Sequence, residues 1–187
     1  MNGFTLVDTF NDFKKYWRKV AGKSLDEKIE LWEREYMSKY PELLELQIRC
    51  YSEIGLNWKE IARKMIFNKI EGLYPLMEKA WINAREISSP TYNRFLRFWK
   101  REIDVLIVIY VGIGCGAGWA TEYKKKPTVL LGLENIAELK WHTKDKLEGL
   151  ILHELCHIIH VILRGISFKE FETLEEDPLF LLSLIHI

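Results

Sequence analysis

The stretch from Lys144 to Arg164 constrains this chain more than any other. Thr143 stands where a helix N-cap is favoured, and Gly165 where a left-handed residue closes a helix. The centre of the stretch is flanked by Leu150-Ile151-Leu152 on one side and Ile158-Ile159 on the other. This pattern predicts one long helix over 144–164, set into the core. Inside it stands His153-Glu154-Leu155-Cys156-His157, the pattern H-E-x-x-H. Residues four apart lie above one another on a helix face, so two imidazoles there can reach one zinc ion at about 2.0–2.1 Å. Glu154 is turned about 100° from His153, beside such an ion, where it can take a proton from water and hand it on as a general base. Buried His and Glu without partners cost several kcal/mol, which favours a metal as their explanation. The alternative is an ordinary core helix with hydrogen-bonded histidines.

Upstream, the first half reads as helices. Ser24 with Glu27 forms a capping box, Pro41 opens a helix that stops near Gly55, and Asn57 with Glu60 starts another carrying Ile61, Met65, Ile66 and Ile70. A further helix runs to about Ile87, where Ser88-Ser89-Pro90 breaks the pattern. The character changes near residue 103. Val105 to Val111 is β-branched and apolar, a buried strand, and Gly112 to Gly118 is a glycine-rich turn. Trp119 to Tyr123 and Thr128 to Leu133 read as two more strands around Lys124 to Pro127. Helices, a small sheet and then one long helix make an α+β fold, with a helical N-terminal region over 1–102 and a sheet-plus-helix core from 103.

Bulk properties narrow the function. With 48% apolar residues in 187, a sizeable core forms, and with 27 basic against 27 acidic residues the chain carries no excess charge. A nucleic-acid partner is therefore not expected. The longest apolar run is far short of the ~20 residues of a membrane span, so no membrane partner is expected either. The N-terminal twenty residues lack the apolar core of a signal peptide. Cys50, Cys115 and Cys156 are odd in number and irregularly spaced, unlike a secreted disulfide framework. These features predict a cytoplasmic protein. Gly112 to Gly118 lacks the Lys-Ser/Thr of a phosphate loop, and Cys156 is expected to be a small buried hydrophobe.

The segments Val111 to Thr121 and Leu131-Gly-Leu-Glu-Asn-Ile-Ala137, followed by the H-E-x-x-H helix, resemble a family of poorly characterised prokaryotic predicted zinc-dependent proteases. The likeness extends back to Tyr40-Pro41-Glu42-Leu43 and covers most of the chain. These proteins look like gluzincins. The resemblance implies a zincin-like metallopeptidase fold, a peptide or protein substrate, and a third ligand from a Glu on a following helix. It also implies a mixed sheet whose edge strand pairs with the extended substrate. The nearest candidate for that strand is Thr128, Val129, Leu130, Leu131 and Gly132.

A catalytic zinc takes three protein ligands and a water. His160 shares the face of His153 and His157 but lies ~10 Å along the axis from His153, so it reads as a packed residue. Glu176 and Asp177 stand at spacings that suit a third ligand, though a solvated acidic loop before Pro178 accounts for them better. Leu182-Ser-Leu-Ile-His-Ile187 is the string that a common transposon sequencing adapter encodes in one frame. Residues 182–187 are therefore expected to be a non-native tail, the core over 103–181 to be incomplete, and the third ligand to lie past it. The competing reading is a non-catalytic helical binding module that keeps a zincin-like relic; metal content separates the two.

Overall fold

The computed structural model describes residues 3–175. It is mixed α and β, with one small sheet and one long helix at its centre, as the order of patterns implied. Strand β1 (Phe4–Asp8) is followed by helices α1 (Phe10–Lys19), α2 (Leu25–Leu31), α3 (Pro41–Ser52), α4 (Trp58–Ile61) and α5 (Ile70–Trp99). Then come β2 (Val105–Tyr110), β3 (Gly118–Tyr123), β4 (Lys126–Gly132), and helices α6 (Leu133–Glu138), α7 (Lys144–Arg164) and α8 (Phe168–Glu175).

The local signals act as their chemistry requires. The Ser24 hydroxyl accepts from Glu27 N while Glu27 accepts from Ser24 N, closing the capping box on α2. Asn57 accepts from Lys59 N at the start of α4. Pro41 fills the first turn of α3, where no N–H is needed. Gly165 closes α7 in the left-handed region at φ 63°.

Three elements differ from the sequence expectation. The N-terminus is not purely helical: Phe4 to Asp8 pairs in parallel with Val105 to Ile109, so the region 1–102 contributes a strand to the sheet. The Ser88-Ser89-Pro90 break does not occur, since α5 runs through both Pro75 and Pro90. Ser88 Oγ donates to Ala84 O at 2.6 Å, and Ser88, Thr91, Tyr92 and Phe95 are buried, so packing outweighs the lost backbone bond. The helix begun at Asn57 winds into a π-type turn over Ala62–Phe67. That wider turn rotates the following side chains, and Met65, placed on the apolar face by helical spacing, is exposed.

The strand order is β1-β2-β4-β3, with β1, β2 and β4 parallel and β3 antiparallel to β4. Every residue of β2 is buried, as expected of a strand covered on both faces. Helices α5 and α7 pack on each other, α5 also on β1 and β2, and α7 also on β3 and β4. The long helix is thereby laid against the antiparallel edge of the sheet.

Candidate metal centre

Helix α7 buries Leu147, Leu150, Ile151, Leu155 and Ile158 and turns the opposite part of its surface to solvent. His153 and His157 rise between these two surfaces, on the border that faces β3. Their Nε2 atoms are 2.9 Å apart and the rings meet edge to face with centroids at 4.4 Å. Two nitrogens sharing one ion at ~2.0–2.1 Å and a tetrahedral angle stand ~3.3 Å apart, so a small side-chain adjustment fits the pair to a zinc-sized cation. His153 is open to water and His157 is buried at 8% exposure. Burial is the main cause that lowers the His157 pKa to about 4, with His153 and His160 adding to it, so at neutral pH the ring is uncharged, the form in which imidazole ligates a metal.

Glu154 is buried at 6% exposure against the first residue of β3. A methyl group added at Gly118 would lie 2.6 Å from Glu154 Oε1 and 2.6 Å from Leu150 Cδ1. Only glycine lets the carboxylate come this close to the strand. Gly118→Ala is therefore expected to push the carboxylate aside, lower stability by ~1–3 kcal/mol, and reduce any activity that depends on Glu154 by roughly 10²-fold. Thermal melts with parallel rate measurements check this; an unchanged melt and rate would show that the strand gives way freely.

Between β3 and α7 lies a cleft of ≈ 210 Å³ lined by Gly118, Trp119, Ala120, His153, Glu154, His157 and Phe171. Phe171 of α8 meets both His157, tilted, and His160, edge to face, at 5.3 and 5.6 Å between centroids. His160 thus faces an aromatic ring and does not join the pair. Glu172, the next residue, faces the other way, along a wall shared with Cys50, Cys115 and Trp119. Glu176, Asp177 and residues 182–187 lie outside the described residues. Among those described, no group of three His, Cys, Asp or Glu side chains converges.

Two expectations are corrected. Thr128 to Gly132 is not the edge strand: β4 is held between β2 and β3, its backbone bonded on both sides, and Thr128, Val129, Leu130 and Leu131 are fully buried. The β3–β4 hairpin folds the later strand inward, so the edge beside α7 is β3, Gly118–Tyr123. Cys156 is exposed, because its place on α7 falls on the solvent side between the two histidines. Ile162 and Leu163 are also exposed, at 45% and 64%, while Ile158 is buried.

The sequence did not single out the carboxylate that shapes the cleft wall. Glu134, on the first turn of α6, is 1% exposed and accepts from Gly112 N at 2.8 Å and Gly114 N at 3.2 Å. Gln47 accepts from Ile113 N and donates to Tyr110 Oη, and Tyr51 Oη donates to Ile113 O. Together they fix the glycine-rich loop that delivers Gly118 to α7. Burial pushes the Glu134 carboxyl up to about 7 despite the backbone N–H groups that oppose it. An acid embedded in the apolar run Leu131 to Ala137 was its only signal.

No protein-family model, curated protein or solved structure matches the chain. No helix among the described residues is long and apolar enough to cross a membrane.

Proposed function

We propose that the protein is a zinc-dependent metallopeptidase in which His153 and His157 hold the metal and Glu154 is the general base. The observation that carries this reading is the convergence of the two Nε2 atoms at 2.9 Å beside a buried carboxylate, in a cleft bounded by a strand edge. When bound, zinc supplies Lewis acidity that polarises a carbonyl and makes water a better nucleophile near neutral pH. The residues of the chain do the rest. Glu154 takes a proton from the attacking water and passes it to the leaving amine. Its burial against Gly118 fixes the carboxylate in one place, so little reorganisation is needed at the moment of transfer. The backbone of β3, the edge strand beside α7, offers the extended substrate a strand to pair with. A third ligand is still required by this chemistry, and Glu176 and Asp177 are the candidates within the chain. The same proposal sets the protein in the cytoplasm and its substrate among peptides or proteins.

Calorimetric titration of zinc into the protein tests the proposal. Close to one zinc per chain is expected, with His153→Ala and His157→Ala each abolishing it. If the wild type takes up none, or if both variants bind as well as the wild type, the helix is a core helix with a histidine pair and the proposal fails. Glu176→Ala and Asp177→Ala in the same titration show whether either residue is the third ligand.

A further inference from the structure

A second hollow opens along the first half of α7, on the N-terminal side of the histidine pair. Its volume is ≈ 560 Å³, within the ~300–1,000 Å³ of ligand sites, and its walls are Ala117, Leu139, Trp141, Gly149 and Leu150, with Lys146 at the solvent end. It ends on Gly118, His153 and Glu154, the same three residues that line the cleft between β3 and α7, so the two spaces adjoin at the candidate catalytic groups. Leu139 and Trp141 are left 49% and 37% exposed at its lip, a solvent-facing apolar rim of the kind that marks a binding surface. That lip is held in place: Trp141 N donates to Ile136 O at 2.8 Å, and Asn83 Nδ2 donates to His142 O at 2.8 Å. At Gly149 an added Cβ would meet nothing within 4 Å, so the space above the helix there is open.

We propose that this hollow seats a large, neutral, apolar side chain of the substrate next to the bond being cut, and rejects lysine and arginine. The proposal rests on the metallopeptidase reading above. Lys146, Leu150 and His153 follow one another at helical spacing on one face, so the floor rises ~10 Å along the axis from the Lys146 backbone to that of His153, about three residues of extended peptide. A side chain one position from the scissile bond therefore reaches Leu150 and Trp141, while the Lys146 charge repels a basic side chain entering from the same end.

Two measurements on the full chain separate this proposal from the reading beneath it. In the first, zinc-loaded protein is given peptides that differ at one position beside the scissile bond. Phenylalanine and leucine peptides are expected to exceed the alanine peptide in kcat/KM by ~10–200-fold, with the lysine peptide slowest. Gly149→Leu, which fills the hollow and favours the helix, should bring the phenylalanine-to-alanine ratio close to one. Trp141→Ala is the second variant should Gly149→Leu not fold. In the second measurement, N-acetyl-phenylalaninamide is titrated into metal-free protein while the Leu150 amide resonance is followed. A saturable shift is expected, absent with N-acetyl-lysinamide and lost in the variant. Hydrolysis at equal rates for all four peptides, with no shift at Leu150, overturns the pocket and leaves the hydrolase standing. A saturable shift without hydrolysis of any peptide supports the pocket as an apolar binding site and overturns the hydrolase. Neither shift nor hydrolysis overturns both.

Discussion

Glu154→Gln is expected to lower kcat/KM for peptide hydrolysis by ~10²–10⁴-fold while zinc stays bound at the wild-type stoichiometry. The amide has nearly the shape of the carboxylate, so the tight fit of residue 154 against Gly118 and Leu150 survives. What disappears is the ability to hold a proton between the attacking water and the leaving amine. Because Glu154 lies beside the histidine pair, the loss should fall on rate and not on metal content. Side-by-side assays of turnover and bound zinc make the test: a variant that keeps most of its activity removes Glu154 from the mechanism, and one that loses its zinc makes Glu154 a ligand instead.

Glu134→Leu is expected to destabilise the fold by about 2–6 kcal/mol. The substitution removes the acceptor of two buried N–H groups, Gly112 and Gly114, and each orphaned donor costs ~1–3 kcal/mol. Against a total stability of ~5–15 kcal/mol for a domain, this is enough to loosen or unfold the chain. Urea titration measures it, and a loss below ~1 kcal/mol would mean that water replaces the carboxylate. The milder Glu134→Gln carries a pH signature. The Glu134 pKa is raised from 4.5 to about 7 in the folded protein, so the folded state holds this proton more tightly than the unfolded chain does. The stability it contributes is fully present below about 4.5 and is lost as pH rises through about 7. Unfolding free energy measured from pH 5 to 8 should therefore fall with pH more steeply in the wild type than in Glu134→Gln. Equal slopes would show that Glu134 is ionised throughout.

Much of the candidate site is written in consecutive residues. A cap, a stop glycine and apolar flanks fix α7 from 144 to 164, and once that helix exists the four-residue spacing of His153 and His157 brings their rings together with no help from the rest of the chain. The capping box at Ser24 and the cap at Asn57 are local in the same way, since each depends on side chains within a few residues of the backbone they serve.

What escaped the sequence depends on partners far away in it. Strand β1 has only five residues and exists because β2, about a hundred positions later, supplies its hydrogen bonds; no local period announces that. The chain alone placed the sheet edge on β4. Three strands in a row do not say whether the last folds inward, and here the β3–β4 hairpin tucks β4 against β2 and leaves β3 beside α7. Likewise α5 keeps its course through Pro90 because α6, α7 and the sheet bury its flank, which outweighs the intrinsic preference to break. Glu134 and Gln47 acquire their role only when the glycine-rich loop is folded back over them. By itself the sequence determined the long helix and the convergence of its two histidines, because helical periodicity is set by neighbours a few residues apart. Tertiary structure alone decided which strand, which loop and which glycine face those histidines, because strand order and burial arise from contacts that linear spacing does not encode.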